Sequence, residues 1–311
     1  MITLEPGFLK GSYPPLLTPF TASGDIDYAA YAALVEFQIR EGSHGVVVNG
    51  TTAEPSVLSV AERSRLLEVA IETAGGRIPV VAATGSQSHA ETVELTEHAD
   101  HAGADALMIV TPYYVRPPQR GLVAYYLDLC ARTQLPVLIY HIPGRAAVTM
   151  TIETIREICE HAPNLVGMKH ALPELGLVTE CLAAFGPEFR ILVGLEELSF
   201  PMMAMGACGM VNAVSNIAPA PIAALYEAVA RGDLAEGRRL HMALFELNRS
   251  VFFDTNPIPI KYMAKTLGIL PDNHHRLPMM PATPDVERRL DTVLAAANLS
   301  AIESRWLGRN G

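Results

Sequence analysis

Short apolar runs alternate with amphipathic segments at a nearly constant spacing along this 311-residue chain. We predict strands at Pro14-Leu17, Gly45-Val48, Val80-Ala83, Ala106-Val110, Val137-Tyr140, Leu165-Met168, Ile191-Val193 and Met210-Val211. Strands that alternate with helices form parallel sheets. Eight such units without a long break in composition favour a closed (β/α)₈ barrel over a doubly wound sheet. The chain also lacks the Gly-x-Gly-x-x-Gly fingerprint of dinucleotide-binding folds.

Helix signals between the strands support this interpretation, and the segment Ser59-Thr73 shows them most fully. Ser59 and Glu62 have the spacing of a capping box. An apolar stripe at helical spacing follows, formed by Leu66, Leu67, Ala70 and Ile71. Gly75 and Gly76 then predict the end of the helix.

The last part of the chain has a different pattern. Helical signals continue in Leu234-Phe253 and Pro257-Leu267, with proline-rich connectors between them. We therefore predict two domains, a catalytic (β/α)₈ barrel over residues 1–231 and a smaller C-terminal helical domain over residues 232–311.

Composition narrows the class of protein. Hydrophobic residues make up 50% of the chain and the mean hydropathy is +0.22, so a large core can be buried. The net charge of −10, without a basic run, argues against nucleic acid and anionic membranes as partners. Four widely spaced cysteines give no support for disulfides or a zinc ribbon. Because neither a leader pattern nor an apolar run of ~18 residues is present, we expect a cytoplasmic protein.

One of only four lysines stands in an unusual place. Lys169 directly follows the apolar run Leu165-Met168, which we interpret as a buried strand. Burial favours the neutral, nucleophilic amine and can lower a lysine pKa by up to ~3–5 units from its ordinary value near ~10.4. Lys169 is therefore a candidate nucleophile. An ion-paired lysine, or one whose ammonium reaches solvent, fits the same pattern.

Further polar residues follow the carboxyl ends of other predicted strands, where (β/α)₈ barrels form their active sites. These candidates are Thr51, Thr52, Tyr113, Tyr114, Tyr140 and Arg145. Because they come from separate parts of the chain, we expect them to converge with Lys169 on one face of the barrel.

A neutral lysine amine attacks a ketone or aldehyde to form an imine, an electron sink for making or breaking a carbon–carbon bond. Tyr140 is the candidate proton carrier, with Thr51 and Tyr114 as its relay. The turn at residues 50–52 offers N–H groups and hydroxyls to a carboxylate, and Arg145 offers a forked contact to a second one. The alternatives are a packed core tyrosine, a helix-capping turn and a solvated arginine.

Five motifs resemble, in order, those of the dihydrodipicolinate synthase and N-acetylneuraminate lyase family. They are Gly50-Thr51-Thr52-Ala53-Glu54, Thr111-Pro112-Tyr113-Tyr114, Tyr140-His141-Ile142-Pro143-Gly144-Arg145, Val166-Gly167-Met168-Lys169 and Asn256-Pro257-Ile258-Pro259-Ile260-Lys261. The resemblance covers nearly the whole chain and ends with Arg276-Leu277-Pro278. It implies an aldolase-type (β/α)₈ barrel with a helical C-terminal domain, usually a homotetramer, that forms an imine with pyruvate or a related 2-oxo acid.

The resemblance also implies residue roles. Lys169 would form the imine and Tyr140 would carry the proton, in a relay that Thr51 completes with Tyr114 across a subunit interface. The pyruvate carboxylate would be held by Thr51 and Thr52, and the pocket would be lined by the backbone near Gly194 and Val211. The covalent imine replaces any cofactor, and no metal is implied.

The second substrate is less closely specified. Arg145 matches the arginine that binds the carboxylate of aspartate semialdehyde in the synthase branch. Three departures from the family pattern are His141 for asparagine, Ala146 for threonine and Ala53 for glycine. We predict a synthase that condenses pyruvate with aspartate semialdehyde. The alternatives are a catabolic class I aldolase or dehydratase acting on a hydroxy-oxo-diacid or sugar acid, a non-catalytic 2-oxo-acid binding protein, and a metal-dependent aldolase.

The family's lysine-feedback pocket is poorly matched, because its polar positions are occupied by Pro55, Val60, Arg63 and Gln87. We therefore predict no tight feedback inhibition by lysine.

Other charged residues give weaker signals. Glu196 and Glu197 would repel a phosphorylated ligand if they faced the pocket, or would simply open the next helix. His98 and His101 lie three residues apart without a carboxylate or cysteine cluster, which argues against a metal site. Strand alternation should point His141 away from the pocket, which favours a structural role.

Overall fold

Parallel strands form one curved sheet whose order is that of a barrel. The computed structural model describes residues 1–297 and Leu299. The strands are β1 (Gly11–Ser12), β2 (Val46–Val48), β3 (Val80–Ala83), β4 (Ala106–Val110), β5 (Val137–His141), β6 (Leu165–His170), β7 (Arg190–Val193) and β8 (Gly209–Met210). From β2 to β8 each strand pairs in parallel with its neighbour in sequence, and β1 pairs with β8. The protein is a (β/α)₈ barrel, as the alternation predicts.

Helices connect the strands and surround the sheet. They are α1 (Tyr28–Arg40), α2 (Val60–Ala74), α3 (His89–Ala102), α4 (Gln119–Cys130), α5 (Pro143–Ala146), α6 (Ile152–His161), α7 (Gly176–Phe185), α8 (Ser199–Ala204) and α9 (Pro219–Ala230). The capping box predicted for α2 is present. Ser59 Oγ accepts from the Glu62 N–H at 3.2 Å, and the Glu62 carboxylate accepts from the Ser59 N–H at 2.8 Å. Gly75 ends the helix in the left-handed conformation, with φ 55°.

The prediction of a first strand at Pro14-Leu17 is wrong, and the reason is the two prolines. The β1 ladder lies earlier, at Gly11–Ser12, because Pro14 and Pro15 have no N–H to donate to a sheet. The predicted segment nevertheless closes the barrel against β2. The Val47 N–H donates to the Pro14 carbonyl and the Leu16 N–H donates to the Val47 carbonyl, both at 2.9 Å.

The other predicted strands are present, and some of their ends differ from the prediction. The bounds of β3 and β4 are as predicted, whereas β5 and β6 extend further and include His141 and Lys169. Lys169 is therefore part of its strand rather than the residue after it. Its strand partner on β5 is Tyr140.

Alternation of side chains along the strands separates two apolar layers. The barrel interior is filled by residues that include Val47, Val81, Met108, Leu138, Val166, Leu192 and Val211. Between sheet and helices lies a second, larger layer that includes Leu34, Leu66, Ile109, Ile139, Ile155 and Ile191. Tyr140 belongs to the inner layer, at the carboxyl end of β5.

Helices α10 (Leu234–Ala243), α11 (Phe245–Ser250), α12 (Ile258–Thr266) and α13 (Pro284–Ala297) follow the barrel. Helix α10 packs on α8 and α9, and α11 and α12 pack on α13. The division into two domains at residue 231 stays a prediction, and residues 298 and 300–311 of its second domain lie outside the described residues. Within the part of the chain that is described, no helix has the length and apolar character needed to span a bilayer.

Candidate active site

Lys169 and Tyr140 are the centre of the candidate site. They are paired on adjacent strands, and the Lys169 Nζ lies 4.1 Å from the centre of the Tyr140 ring. Both residues are buried, with 4% and 5% exposure. Among the residues that the structure describes, no carboxylate lies within 4.0 Å of the Lys169 Nζ, in contrast to the ion-paired Lys261. Within that distance the lysine therefore meets an aromatic face rather than an acid, and the nearby Glu196 interacts with it only electrostatically.

The Tyr140 hydroxyl has the partner that the sequence predicts. Its oxygen lies 3.1 Å from Thr51 Oγ1, within hydrogen-bond distance. Thr51 begins a 3₁₀ turn, Thr51–Ala53, that directly follows Gly50 at the carboxyl end of β2. Thr18 Oγ1 donates to the Ala53 carbonyl at 2.8 Å and so fixes the turn from the β1 side.

Thr52 and Arg145 are joined through one residue of the C-terminal region. Asn256 Nδ2 donates to Thr52 Oγ1 at 3.2 Å, and Arg145 Nη2 donates to the Asn256 carbonyl at 3.2 Å. Thr52 is buried, whereas Arg145 lies on the short helix α5 with its side chain exposed. Asn256 was missed by the sequence reasoning, although it begins one of the five motifs.

Tyr114 does not reach the Tyr140–Thr51 pair within one chain. Its side chain is 85% exposed, and its backbone has a positive φ of 71°. The neighbouring Tyr113 instead lines the cavity above the barrel. The role of Tyr114 in the relay therefore stays a prediction that requires a second subunit.

A cavity of about 590 Å³ opens at the carboxyl ends of the strands. Its polar lining includes Thr51, Tyr140, Arg145 and Asn256. Lys169 is not part of the lining, so Tyr140 is the residue that connects the cavity to the lysine.

The absence of a side chain at Gly194 leaves room for Lys169. A Cβ atom at Gly194 would lie 2.8 Å from Lys169 Cε and 2.8 Å from Ala171 Cβ. The Gly194 N–H donates to the His170 carbonyl at 2.7 Å, which holds the two strand ends at this separation. Val211 is buried, and its N–H donates to the Val193 carbonyl at 2.8 Å. At Gly194 the backbone itself therefore lies next to the lysine, and neither Gly194 nor Val211 is part of the cavity lining.

The two glutamates after β7 differ in their surroundings. Glu196 is buried and its Oε1 accepts from the Ala213 N–H at 2.7 Å, which ties the β7 and β8 loops together. Burial raises the pKa of Glu196. Glu197 is about half exposed and lies 3.7 Å from Arg249. The pair opens a 3₁₀ turn, Glu196–Leu198, and neither residue lines the cavity.

His141 points away from the cavity, as strand alternation predicts, and forms a buried pair with His170. The Nδ1 atoms of the two imidazoles lie 3.3 Å apart. Because the Met150 N–H donates to His141 Nε2, the proton of neutral His141 is on Nδ1 and is donated to His170. His170 Nε2 in turn donates to the Glu174 carbonyl at 3.1 Å. The chain of hydrogen bonds is complete only when both rings are neutral.

A second buried cluster was not anticipated. Glu54 accepts from Lys261 Nζ at 2.6 Å and from His275 Nδ1 at 2.9 Å. The scarcity of lysine, which singled out Lys169, applied equally to Lys261 and was the available signal. Across the described ranges, no three His, Cys, Asp or Glu side chains form a group suited to a metal ion.

Comparisons with known proteins agree with this geometry. Residues 8–297 match the model of the dihydrodipicolinate synthetase family. A 4-hydroxy-tetrahydrodipicolinate synthase of Thermus thermophilus is 43% identical over 283 residues, which cover 90% of this chain and 94% of that protein. The crystal structure of dihydrodipicolinate synthase from Aquifex aeolicus superimposes with a TM-score of 0.91 at 36% identity, covering 93% of this chain and 98% of that one. The chloride-inhibited enzyme of Acinetobacter baumannii, in complex with pyruvate, has a TM-score of 0.91 at 32% identity over 94% and 99% of the chains.

Proposed function

Because this chain belongs to the dihydrodipicolinate synthetase family, we propose that it is a 4-hydroxy-tetrahydrodipicolinate synthase that condenses pyruvate with aspartate semialdehyde. The observation that carries the proposal is the contact between Lys169 Nζ and the Tyr140 ring, with the Tyr140 hydroxyl 3.1 Å from Thr51. Imine chemistry needs a buried amine that no carboxylate holds in an ion pair, next to a phenol in a hydrogen-bonded relay. Among the described residues, Lys169 has no carboxylate within 4.0 Å.

In the proposed reaction, the neutral Lys169 amine attacks the 2-oxo carbon of pyruvate and forms a carbinolamine. Tyr140 delivers the proton with which the carbinolamine oxygen leaves as water, and the imine results. Loss of a proton from the pyruvate methyl group gives an enamine, whose carbon attacks the aldehyde carbon of the second substrate. The new carbon–carbon bond leaves an alkoxide that takes up a proton, and the product is released when its amine displaces Lys169.

The two carboxylates have separate places in this proposal. The pyruvate carboxylate binds the N–H groups and hydroxyls of the Thr51–Thr52 turn, with the backbone at Gly194 and Val211 leaving space for the substrate. The carboxylate of aspartate semialdehyde binds Arg145, which lies at the edge of the cavity.

Reduction with borohydride tests the imine. In the presence of pyruvate, we expect a stable mass adduct on Lys169 that is absent from Lys169→Arg. Activity that persists with EDTA would separate this mechanism from a metal-dependent aldolase. A protein that binds pyruvate without forming the adduct would be a binding protein, and the proposal would fail.

A second candidate function keeps the imine but changes its partner. The departures at Ala53, His141 and Ala146 favour it, and Ala146 lines the cavity next to Arg145. In that case the enzyme is a catabolic aldolase or dehydratase that acts on a hydroxy-oxo-diacid or sugar acid. The test measures the rate at which the enzyme consumes aspartate semialdehyde and the rate at which it cleaves such a diacid. If only the diacid is consumed, the synthase proposal is rejected.

We further propose a homotetramer without a cofactor, located in the cytoplasm. The free cysteines Cys130, Cys159, Cys181 and Cys208 are compatible with a reducing compartment. The exposed Tyr114 supports a contact between subunits, in which it joins the relay of its neighbour. Sedimentation of the wild type, together with the activity of Tyr114→Phe, tests this part of the proposal.

A further inference from the structure

The buried cluster of Glu54, Lys261 and His275 lies beside the candidate active site, and none of its three residues has a role in the proposed reaction. Each of the two carboxylate oxygens of Glu54 has one partner, Lys261 Nζ at 2.6 Å and His275 Nδ1 at 2.9 Å. The exposure of all three side chains is 1% or less. Because an ionised carboxylate only accepts hydrogen bonds, the His275 proton is on Nδ1.

Stability alone is a poor explanation for this cluster. Taking charges out of water is costly, and replacing a buried ion pair by well-packed apolar residues is often neutral or stabilising. The barrel and the C-terminal helices already share a continuous apolar layer that includes Ile217, Ile260 and Met263. Holding the two regions together therefore does not require a buried carboxylate.

The position of Glu54 indicates that the cluster holds the Thr51–Ala53 turn in place. It ends the Thr51–Ala53 turn, and its N–H donates to the Thr51 carbonyl at 3.1 Å. Its backbone is left-handed, with φ 59° and ψ 44°, which is unfavourable for a residue with a side chain. Such a conformation persists when the surroundings hold the side chain, and here Lys261 and His275 hold it.

Charge gives a second reason. Glu54 lines the cavity in which the substrate carboxylate is proposed to bind. A negative charge without a partner at this point would repel a second carboxylate. Burial opposes ionisation of Glu54, but the hydrogen bond from His275 and the charge of Lys261 outweigh it, so its pKa lies below the usual value. Lys261 therefore neutralises a carboxylate that stays ionised.

We propose that Lys261 and His275 are positioning residues for pyruvate, which act through Glu54 to fix the Thr51–Thr52 turn and to cancel a negative charge next to it. This inference rests on the proposed function, because it takes the turn as the binding site of the pyruvate carboxylate. Neither Lys261 nor His275 lines the cavity, so both act through another residue rather than on the substrate.

Titration of the borohydride reaction with pyruvate tests the inference without the second substrate. In Lys261→Met we expect the pyruvate concentration for half-maximal labelling of Lys169 to rise at least tenfold, with the same maximal labelling. Adding Glu54→Gln to this variant removes the charge that has lost its partner. The double variant is therefore expected to need less pyruvate than Lys261→Met alone.

A matched control separates positioning from general stability. Arg276 also joins the C-terminal region to the barrel, through Glu62 at 2.7 Å and the Gly24 carbonyl at 2.7 Å, and it packs over the same Phe20 ring as Lys261. Its hydrogen bonds go to Gly24, Val57 and Glu62 rather than to the Thr51–Ala53 turn. Arg276→Met is expected to lower the melting temperature while leaving the pyruvate dependence within twofold of the wild type.

His275 provides an independent pair of variants. His275→Asn keeps an N–H donor near the place of Nδ1, whereas His275→Leu removes it. We expect His275→Leu to need severalfold more pyruvate and His275→Asn to resemble the wild type. If Lys261→Met does not fold, this pair decides the question.

Two results would overturn the inference. One is wild-type pyruvate dependence in folded Lys261→Met and His275→Leu, and the other is an equal rise in Arg276→Met. Failure of the proposed imine chemistry gives a different result, since wild-type protein would then form no adduct at any pyruvate concentration.

Discussion

The Nζ atom of Lys169 lies 4.1 Å from the centre of the Tyr140 ring, so the tyrosine holds the lysine with its face while its hydroxyl is bonded elsewhere. Tyr140→Phe separates these two roles, because the ring remains and the hydroxyl is lost. We expect the rate of imine formation to fall by about 10²- to 10⁴-fold while the final extent of labelling is kept. Time courses of borohydride trapping measure both quantities.

Thr51 provides the control for this experiment. Thr51→Ser keeps the hydroxyl partner of Tyr140 and is expected to stay close to the wild type, whereas Thr51→Val removes that partner and slows trapping. An unchanged rate in Tyr140→Phe would exclude Tyr140 as the proton carrier.

Gly194→Ala is predicted to prevent imine formation by a steric clash with the Lys169 side chain. The new Cβ would lie 2.8 Å from Lys169 Cε and 2.8 Å from Ala171 Cβ, which is closer than side chains tolerate. We expect little or no pyruvate adduct in a protein that still folds, measured by mass spectrometry and circular dichroism. Gly7→Ala is the control, because a Cβ there meets nothing within 4 Å. Normal labelling of Gly194→Ala would contradict the placement of Lys169.

Arg145→Ala should separate the two substrates. Removing a charge-assisted contact to the carboxylate of aspartate semialdehyde is expected to raise its KM by about 10- to 100-fold. The pyruvate concentration for half-maximal labelling should rise much less, because Arg145 reaches the Thr51–Thr52 turn only through Asn256. Arg145→Lys should recover only part of the loss, since an ammonium lacks the forked geometry. Equal losses for both substrates would show a general distortion of the cavity.

The histidine pair predicts a loss of stability in mild acid. Burial, and to a smaller extent the neighbouring His170, lower the pKa of His141 to about 4, while histidine in an unfolded chain titrates near ~6.5. Between these values the unfolded state binds more protons, so this contribution is complete above about pH 6.5 and is lost as the pH falls toward 4.

Denaturant unfolding at several pH values checks this prediction. The free energy of unfolding should decrease by about 1.4 kcal/mol per pH unit from this histidine within the window. His141→Asn, which cannot titrate there, should have a flatter pH dependence than the wild type. The same slope in both proteins would assign the acid sensitivity to other groups.

Free lysine is not expected to inhibit the enzyme tightly. Pro55, Val60, Arg63 and Gln87 all line the cavity. The guanidinium of Arg63 is buried and donates to the carbonyls of Ala83 and Gly85 at 2.9 and 3.3 Å, so a positive charge is fixed at one of these positions. Initial rates with submillimolar lysine should equal those without it, and strong inhibition would overturn the prediction.

Local patterns were sufficient for most of the fold. The strands β3 and β4 are short apolar runs, and each strand begins and ends where its apolar run begins and ends in the sequence. The first strand was misplaced because an apolar run at Pro14-Leu17 satisfies the same pattern although its prolines cannot donate to a ladder. The strands of a barrel have their carboxyl ends on one face, and this rule, together with the family motifs, predicts that Tyr140 and Thr51 lie close together.

Contacts between distant segments set the limit of prediction. Glu54 is 207 residues from Lys261 and 221 from His275, and no periodicity connects positions so far apart. Asn256 likewise reaches Thr52 across 204 residues. The five motifs contain Glu54, Lys261 and Asn256 without giving them a role, and only the fold reveals that they meet beside one turn.

Prolines interrupt the junction between the first and second strands, close to the Thr51–Thr52 turn. Among the described residues, three backbone hydrogen bonds link residues 12–16 to 44–47, and two prolines interrupt that stretch. The Thr51–Thr52 turn begins just beyond this junction. We predict that a small shift of the turn on ligand binding is absorbed there, while the sheet that carries Tyr140 and Lys169 keeps its register. Amide exchange at Val47 should report the arrival of pyruvate, and exchange in β5 and β6 should not.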